Sequence, residues 1–356
     1  MVISSWGIGG EQKAAGNLID SFISKGHKVD LITFRVFDKI LPLNEQVNLI
    51  QLENKYSNPF LKNLIRIREI RKKIKKSEYD IVVGFAIIPS IITSFAGHGL
   101  AIPLIITERS NPEIYNPIYK FFRNIAYRLA DGGIFQTNYA KDYFVNFKKM
   151  DKKVIPNPIN LNNLPYSGLK EKRKRIVTTG RLVEVKNHSL LIEAFAIVLE
   201  DFPEYELAIY GDGHLKEKLT KQIKDLGINE NATIYDATPQ VLEQIQLDTL
   251  FVLPSNHEGF PNSLAEAMAL GIPSISTDCL AGGPRDLIKS TRGILVETGN
   301  LNELVIAIKK CLLDQKYREE LGHNALEVRD ELDVNTIANY WLDFFDITIR
   351  KKIKQK

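Results

Sequence analysis

The chain has 356 residues, 44% hydrophobic and 25% charged, which excludes a disordered or fibrous protein and points to two domains. Two cysteines, Cys279 and Cys311, cannot build a disulfide framework and fit a reducing compartment, and the Met1–Ser5 start has neither the basic nor the long apolar stretch of a signal peptide. Net charge is +4 but uneven: residues 1–160 hold 23 Lys and Arg against 14 Asp and Glu, and residues 161–356 hold 24 against 29, so the first half is expected to meet something anionic.

In that first half, β-rich runs near Met1–Ser5, Lys28–Phe34, Ile81–Phe85, Pro103–Thr107 and Gly132–Gln136 alternate with helical patterns. The helices fall near Glu11–Lys25, Pro59–Lys76, Ile87–Phe95 and Pro117–Ala130, and Gly26 stands where a C-cap glycine belongs. The apolar stretch 81–107 is broken by Gly84, Pro89, Gly97, His98, Gly99 and Pro103, so it reads as strand, helix and strand rather than as a span of about 20 residues. Pro156-Asn157-Pro158 and the polar, basic stretch through Lys174 form a candidate linker.

A second alternation follows, with strands near Ile176–Thr179, Glu206–Tyr210, Thr233–Tyr235, Thr249–Leu253, Pro273–Ser276 and Gly293–Val296. Its helices are expected near Asn187–Glu200, Leu215–Leu226, Pro239–Gln246, Pro261–Leu270 and Leu301–Leu313. Alternation of this kind predicts two α/β units with parallel sheets. Val334–Lys356 reads as one amphipathic helix whose Trp341, Phe344 and Phe345 face packs on the body, with a solvated basic end at Arg350–Lys354.

Open parallel sheets bind ligands beyond the carboxyl ends of their strands, so the strand-to-helix loops carry the candidate chemistry. Gly180-Arg181-Leu182-Val183-Glu184-Val185-Lys186 offers two cations beside a helix start; the plain alternative is surface charge. Tyr210-Gly211-Asp212-Gly213 lets a ligand approach the backbone, or is a tight turn. In His257-Glu258-Gly259-Phe260-Pro261-Asn262-Ser263-Leu264-Ala265-Glu266, Pro261 suits the first helical position and the free amides of the first turn make an anion site. Glu266 lies about one turn inside, roughly 6–8 Å along the axis, a spacing that suits two sugars flanking a pyrophosphate; alone it equally favours the helix dipole. With no Asp-x-Asp pair and no His/Cys cluster, the expected leaving diphosphate is neutralised by Arg181, Lys186 and helix amides without a cofactor or divalent metal.

These residues resemble the signature of the family 4 retaining glycosyltransferases of GT-B fold: Gly180-Arg181 with Lys186, then Glu258-Gly259-Phe260-Pro261-Asn262 through Glu266. Gly9-Gly10-Glu11 is similar to that family's glycine loop, and Gly282-Gly283-Pro284-Arg285-Asp286 to its loop against the transferred sugar. The resemblance implies two Rossmann-like domains facing each other across a cleft. An acceptor domain would span residues 1–160, a nucleotide-sugar domain 161–336, and a helix at 337–356 would cross back to the first. It implies retention at the anomeric carbon, with Glu258 at the transferred sugar, Glu266 at the ribose, and Arg181 and Lys186 on the diphosphate. Gly10, Gly211, Gly213, Phe260, Pro261, Asn262 and Ser263 fall on the donor side by the same resemblance.

Thr107-Glu108-Arg109-Ser110-Asn111-Pro112 is similar to bacterial members that build surface polysaccharides and undecaprenyl-linked oligosaccharides. It implies Glu108, Arg109, Ser110 and Asn111 on the acceptor side, with Arg109 where many members carry histidine. The expected partners are therefore a nucleotide-diphosphate sugar, UDP-linked by the closest likeness, and a lipid-linked saccharide.

The helix at 61–76 has an apolar stripe of Leu61, Leu64, Ile67, Ile70 and Ile74, surrounded by Arg66, Arg68, Arg71, Lys72, Lys73, Lys75 and Lys76. It either covers the first sheet or touches an anionic membrane surface on the cytoplasmic side. Nucleic acid is not an expected partner, because the basic residues are not interleaved with aromatics. A nicotinamide dehydrogenase fails at Gln12, where Gly7-Ile8-Gly9 requires a glycine. Another GT-B enzyme such as an epimerase, or a non-catalytic sugar-binding subunit of an assembly complex, remains as an alternative.

Overall fold

The structure, a computed structural model, describes residues 1–52, 57–165 and 172–354; positions 166–171 of the candidate linker lie outside the described residues. Two compact units divide the chain, Met1–Pro158 with Leu332–Lys356, and Ile159–Glu331. The divisions fall just ahead of the expected ends at 160 and 336.

In the first unit, seven strands form one parallel sheet: β1 (Val2–Ile3), β2 (Asp30–Thr33), β3 (Asn48–Gln51), β4 (Val82–Phe85), β5 (Leu104–Glu108), β6 (Gly132–Phe135) and β7 (Asp151–Val154). Their order is β3-β2-β1-β4-β5-β6-β7. The edge strands β3 and β7 escaped the pattern reading because none of their side chains is buried and no apolar run marks them. Helices α1 (Gly10–Ser24), α2 (Pro59–Lys76), α3 (Ile87–Gly97), α4 (Pro117–Tyr127) and α5 (Asn138–Tyr143) fill the crossovers.

Ala14, Ala15, Leu18, Ile19 and Phe22 form the buried stripe of α1. The start of α2 is fixed by the Asn58 side chain, which accepts from the Phe60 and Leu61 amides, with Pro59 at the first position. Only the far end of its stripe is covered: Ile70 and Ile74 are buried, whereas Phe60, Leu61 and Leu64 are exposed. The C-terminal helix, Val334–Lys354, belongs to this unit and buries Ile337, Ala338, Trp341, Phe344 and Phe345 in its core. Trp341 stacks on Phe85 at 6.2 Å between centroids, and each such large side chain stabilises by about 1.5–3 kcal/mol. Its basic end is not simply solvated: Lys351 pairs with Asp151 and Lys352 with Asp131.

The second unit has a six-stranded parallel sheet of β8 (Arg173–Thr179), β9 (Glu206–Tyr210), β10 (Ala232–Tyr235), β11 (Asp248–Leu253), β12 (Ser274–Thr277) and β13 (Ile294–Val296). The order is β10-β9-β8-β11-β12-β13. Helices α6 (His188–Leu199), α7 (Lys216–Asp225), α8 (Val241–Ile245), α9 (Asn262–Ala269), α10 (Gly283–Ile288), α11 (Leu301–Leu313), α12 (Gln315–Ala325) and α13 (Val328–Leu332) complete it. Its core gathers Leu191 and Phe195 of α6, Ile209, Leu250 and Val252 of the sheet, and Ile308 of α11. Strand order reverses between β1 and β4 in the first sheet and between β8 and β11 in the second. Crevices at such reversals are where α/β sheets bind ligands.

Candidate functional site

The reversal in the second sheet brings together the two loops that the motifs singled out. Lys186 closes a short 3-10 turn, Glu184–Lys186, after β8. Asn187 then takes a left-handed conformation, φ 47°, which asparagine tolerates, and starts α6. Glu258 sits in the loop between β11 and α9. Lys186 Nζ donates to Glu258 Oε1 at 2.5 Å, and Ser255 Oγ donates to the same oxygen at 2.7 Å. Both charged side chains are largely shielded, 15% and 10% exposed, so their attraction is little screened by solvent.

The loops are tied by backbone as well. Asn256 N donates to the Val185 carbonyl at 2.8 Å, and Asn187 Nδ2 to Asn256 Oδ1 at 3.2 Å. A third loop arrives through Gly283, where a Cβ would stand 1.8 Å from the Gly259 carbonyl oxygen. Only glycine permits that approach. Cys279, at 0% exposure, donates from Sγ to the Ser255 carbonyl, and burial pushes its thiol up to about 11. It is a neutral buttress under Glu258, not a nucleophile.

Arg181 is exposed on the same loop as Lys186. Its carbonyl accepts from His188 Nε2 at 3.2 Å, and burial lowers that imidazole to about 4, so it stays neutral. Asn262 and Ser263 open α9, with Glu266 half-buried one turn on. Pro261 is the N-cap residue rather than the first helical residue, and it has no side-chain cap to offer, so the first-turn amides are not covered by one. Phe260 and Pro261 are buried and anchor the loop.

Gly211 and Gly213 let the neighbouring loop approach closely. A Cβ on Gly211 would lie 1.8 Å from the Gly180 carbonyl oxygen, and one on Gly213 would lie 2.2 Å from the Leu182 carbonyl oxygen. The space that these glycines leave is filled by the neighbouring loop, which they position.

At the first sheet's reversal, Gly10 begins α1 and Glu11 stands in its first turn. Arg109 leaves β5 and lays its guanidinium over the Phe85 ring, 3.9 Å from the centroid, while donating to Asn157 Oδ1. Glu108, the adjacent acceptor-side candidate, is not in the crevice. It is 0% exposed, accepts from Tyr127 at 3.1 Å and Tyr115 at 3.3 Å, and lies 3.8 Å from buried Arg123. Burial raises its carboxyl to about 7, against the pull of Arg123. Alternation along β5 turns Glu108 inward and Arg109 outward. Ser110 Oγ bonds the Tyr115 hydroxyl, and Asn111 Oδ1 accepts from the Glu113 amide at 2.9 Å, so both shape the loop. Arg123 and Tyr127 were missed because isolated polar residues on a helix read as surface, and Tyr115 because it stands in the loop before α4.

Two Rossmann-like units, with a cation–carboxylate pair at one strand reversal, form the architecture of the GT-B glycosyltransferases. The chain belongs to the family 4 glycosyltransferases: residues 8–163 match the model described as Glycosyltransferase Family 4, and residues 162–328 the one described as Glycosyl transferases group 1. It is 28% identical over 349 residues, 96% of each chain, to the GalNAc-alpha-(1->4)-GalNAc-alpha-(1->3)-diNAcBac-PP-undecaprenol alpha-1,4-N-acetyl-D-galactosaminyltransferase of Campylobacter jejuni. It is 30% identical over 278 residues to an uncharacterized glycosyltransferase of Methanocaldococcus jannaschii, covering 68% of this chain and 67% of that one. Among solved structures, the fold matches Anabaena HepE in complex with UDP and glucose, with a TM-score of 0.80 at 19% identity, covering 97% of this chain and 98% of that one.

Proposed function

We propose that this chain is a retaining, metal-independent hexosyltransferase. It moves a hexose or N-acetylhexosamine from a UDP-linked donor to a lipid-linked saccharide in bacterial capsule, exopolysaccharide or O-antigen synthesis. The contact of Lys186 with Glu258 at the second strand reversal carries the reading. In the donor complex Lys186 exchanges Glu258 for the diphosphate, which frees the carboxylate to accept hydroxyls of the transferred sugar. Arg181 and the first-turn amides of α9 supply the remaining positive charge for the leaving group, so the chain's own groups offset a diphosphate. Glu266 takes the ribose hydroxyls. The names of the Campylobacter and Anabaena relatives support the acceptor and the base.

The expected place of work is the inner face of the cytoplasmic membrane. Among the described residues no helix is long and apolar enough to cross a membrane. Buried Arg123 anchors α4, while Ile118, Phe121, Phe122 and Ile125 on its outer side are exposed. An apolar patch of this kind, with α3 between it and the Lys- and Arg-rich α2, suits peripheral insertion among anionic headgroups. Vesicle flotation with and without anionic lipid, repeated for Phe121→Ser with Phe122→Ser, tests it; equal recovery on neutral and anionic vesicles counts against it.

The enzymatic test is hydrolysis and transfer from a panel of UDP-, GDP- and ADP-sugars in EDTA, with product anomers read by NMR. Release of one nucleotide with the donor's anomeric configuration kept is expected. Loss of turnover in EDTA overturns metal independence, and an inverted product overturns retention.

A further inference from the structure

Lys186 cannot by itself hold Glu258 in place through a reaction cycle. In the donor complex proposed for this site it turns to the diphosphate, and its flexible stem lets it do so. A second donor stays behind. Ser255 stands two residues past the end of β11 and is fully buried, and its Oγ donates to Glu258 Oε1 at 2.7 Å. A serine hydroxyl has one proton to give, and this one goes to Glu258. Lys186 and Ser255 meet the same oxygen, so neither bond occupies Oε2.

Ser255 is itself tied from both sides. The ladder between β11 and β12 closes at the pair Leu253 and Ser276. Beyond it, two buried side chains from the end of β12 continue the tie. Thr277 Oγ1 and Cys279 Sγ both donate to the Ser255 carbonyl, the thiol at 3.1 Å. On the other side, the Asn256 amide donates to the Val185 carbonyl at 2.8 Å. With its backbone fixed and a side chain too short to reach elsewhere, the Ser255 hydroxyl cannot follow Lys186.

We infer that Ser255 is the positioning residue for Glu258: it keeps Oε1 in place after Lys186 has turned to the diphosphate, and Oε2 is left for the hydroxyls of the transferred sugar. The inference rests on the transferase reading for the roles of Lys186 and Glu258. The hold of Ser255 on the carboxylate can be measured without it.

Ser255→Ala should lower kcat about tenfold, which is what one hydrogen bond to a charged group contributes. The dissociation constant of the matching nucleoside diphosphate should stay within about twofold, because that ligand lacks the sugar that Glu258 meets. A purely structural role would weaken both. In the Glu258→Ala background the same substitution should lower kcat by less than about twofold, since the partner is gone. If the melting temperature shows that Ser255→Ala does not fold, Ser255→Cys keeps the bulk with a weaker donor and should show the same split. Crystals of Lys186→Met, and of Lys186→Met combined with Ser255→Ala, read the position directly without any substrate. Glu258 Oε1 should stay within hydrogen-bond distance of Ser255 Oγ in the first and leave its place in the second. The inference is overturned if kcat is unchanged, if nucleotide affinity falls in parallel with it, or if Glu258 leaves Ser255 when only Lys186 is replaced. Absence of turnover by the unaltered chain with every sugar nucleotide sinks the transferase reading instead, and the crystal comparison still decides whether Ser255 holds Glu258.

Discussion

The two strand reversals have the same topology and both carry charged side chains, yet they are finished differently. At the second, Lys186 and Glu258 bond directly, and four loops lock through backbone contacts at Val185, Gly180 and Gly259. At the first, Arg109 turns to Phe85 and Asn157, Glu11 Oε1 is left without a hydrogen-bond donor, and side chains do most of the tying. Backbone contacts hold their geometry whatever side chain stands nearby, whereas side-chain contacts change with each substitution. The second crevice thus suits a fixed chemical task, and the first a partner that differs between enzymes of one fold.

The largest effect should come from the buried pair beneath the first crevice. Arg123→Ala leaves Glu108 unpaired in the core and should cost about 3–5 kcal/mol in urea unfolding. Adding Glu108→Gln should recover much of it; no recovery would mean that Arg123 acts through its aromatic contacts with Tyr143 and Phe144. At the second crevice, Glu258→Gln or Lys186→Met should each lower turnover about 10²- to 10³-fold. Because the two side chains touch, the double variant should lose much less than the product of the two losses, and full additivity would show that the contact is incidental.

Gly283→Ala comes next. It drives a Cβ against the Gly259 carbonyl and should cost about 1–3 kcal/mol of stability, with a fall in turnover because the Glu258 loop shifts. An unaffected melting curve would remove the case for backbone locking.

The units should also respond to pH with opposite signs. Glu108 goes from an ordinary 4.5 to about 7 on folding, so the folded state binds more protons between those values. Its contribution is present below pH 4.5 and declines as pH rises to about 7. Glu331, bonded by Arg292, falls to about 2, so its contribution is present above pH 4.5 and declines as pH falls toward 2. Melting temperatures across pH 2–8 for Glu108→Gln and Glu331→Gln should each flatten only their own limb. Smallest of all, Phe122→Ser on the exposed face of α4 should move stability by no more than about 0.5 kcal/mol, whatever it does to vesicle binding.

Much of this was legible in residue order. The β and α alternation placed β9, α2 and α11 to the residue, because long apolar runs with Pro and Gly punctuation leave few alternatives. Lys186 and Glu258 stood out since their loops follow strands whose carboxyl ends must face ligands. Short elements such as β3, β7, α5, α10 and α13 were not legible, having too few periodic residues or too little burial to stand out, and α12 buries only Leu321, Gly322 and Ala325.

By itself, then, the sequence determined two parallel sheets, their helices and the loops that carry the charged groups, since these follow from local periodicity and strand direction. Tertiary structure alone decided which of those groups meet. It turned Glu108 into the core beside Arg123, filled the space at Gly211 and Gly213 with the Gly180–Leu182 backbone, joined Lys186 to Glu258, and left a buried oxygen of Glu11 without a donor. Those outcomes depend on close packing between segments far apart in the chain, and no local pattern encodes which side chain fills the last few ångströms.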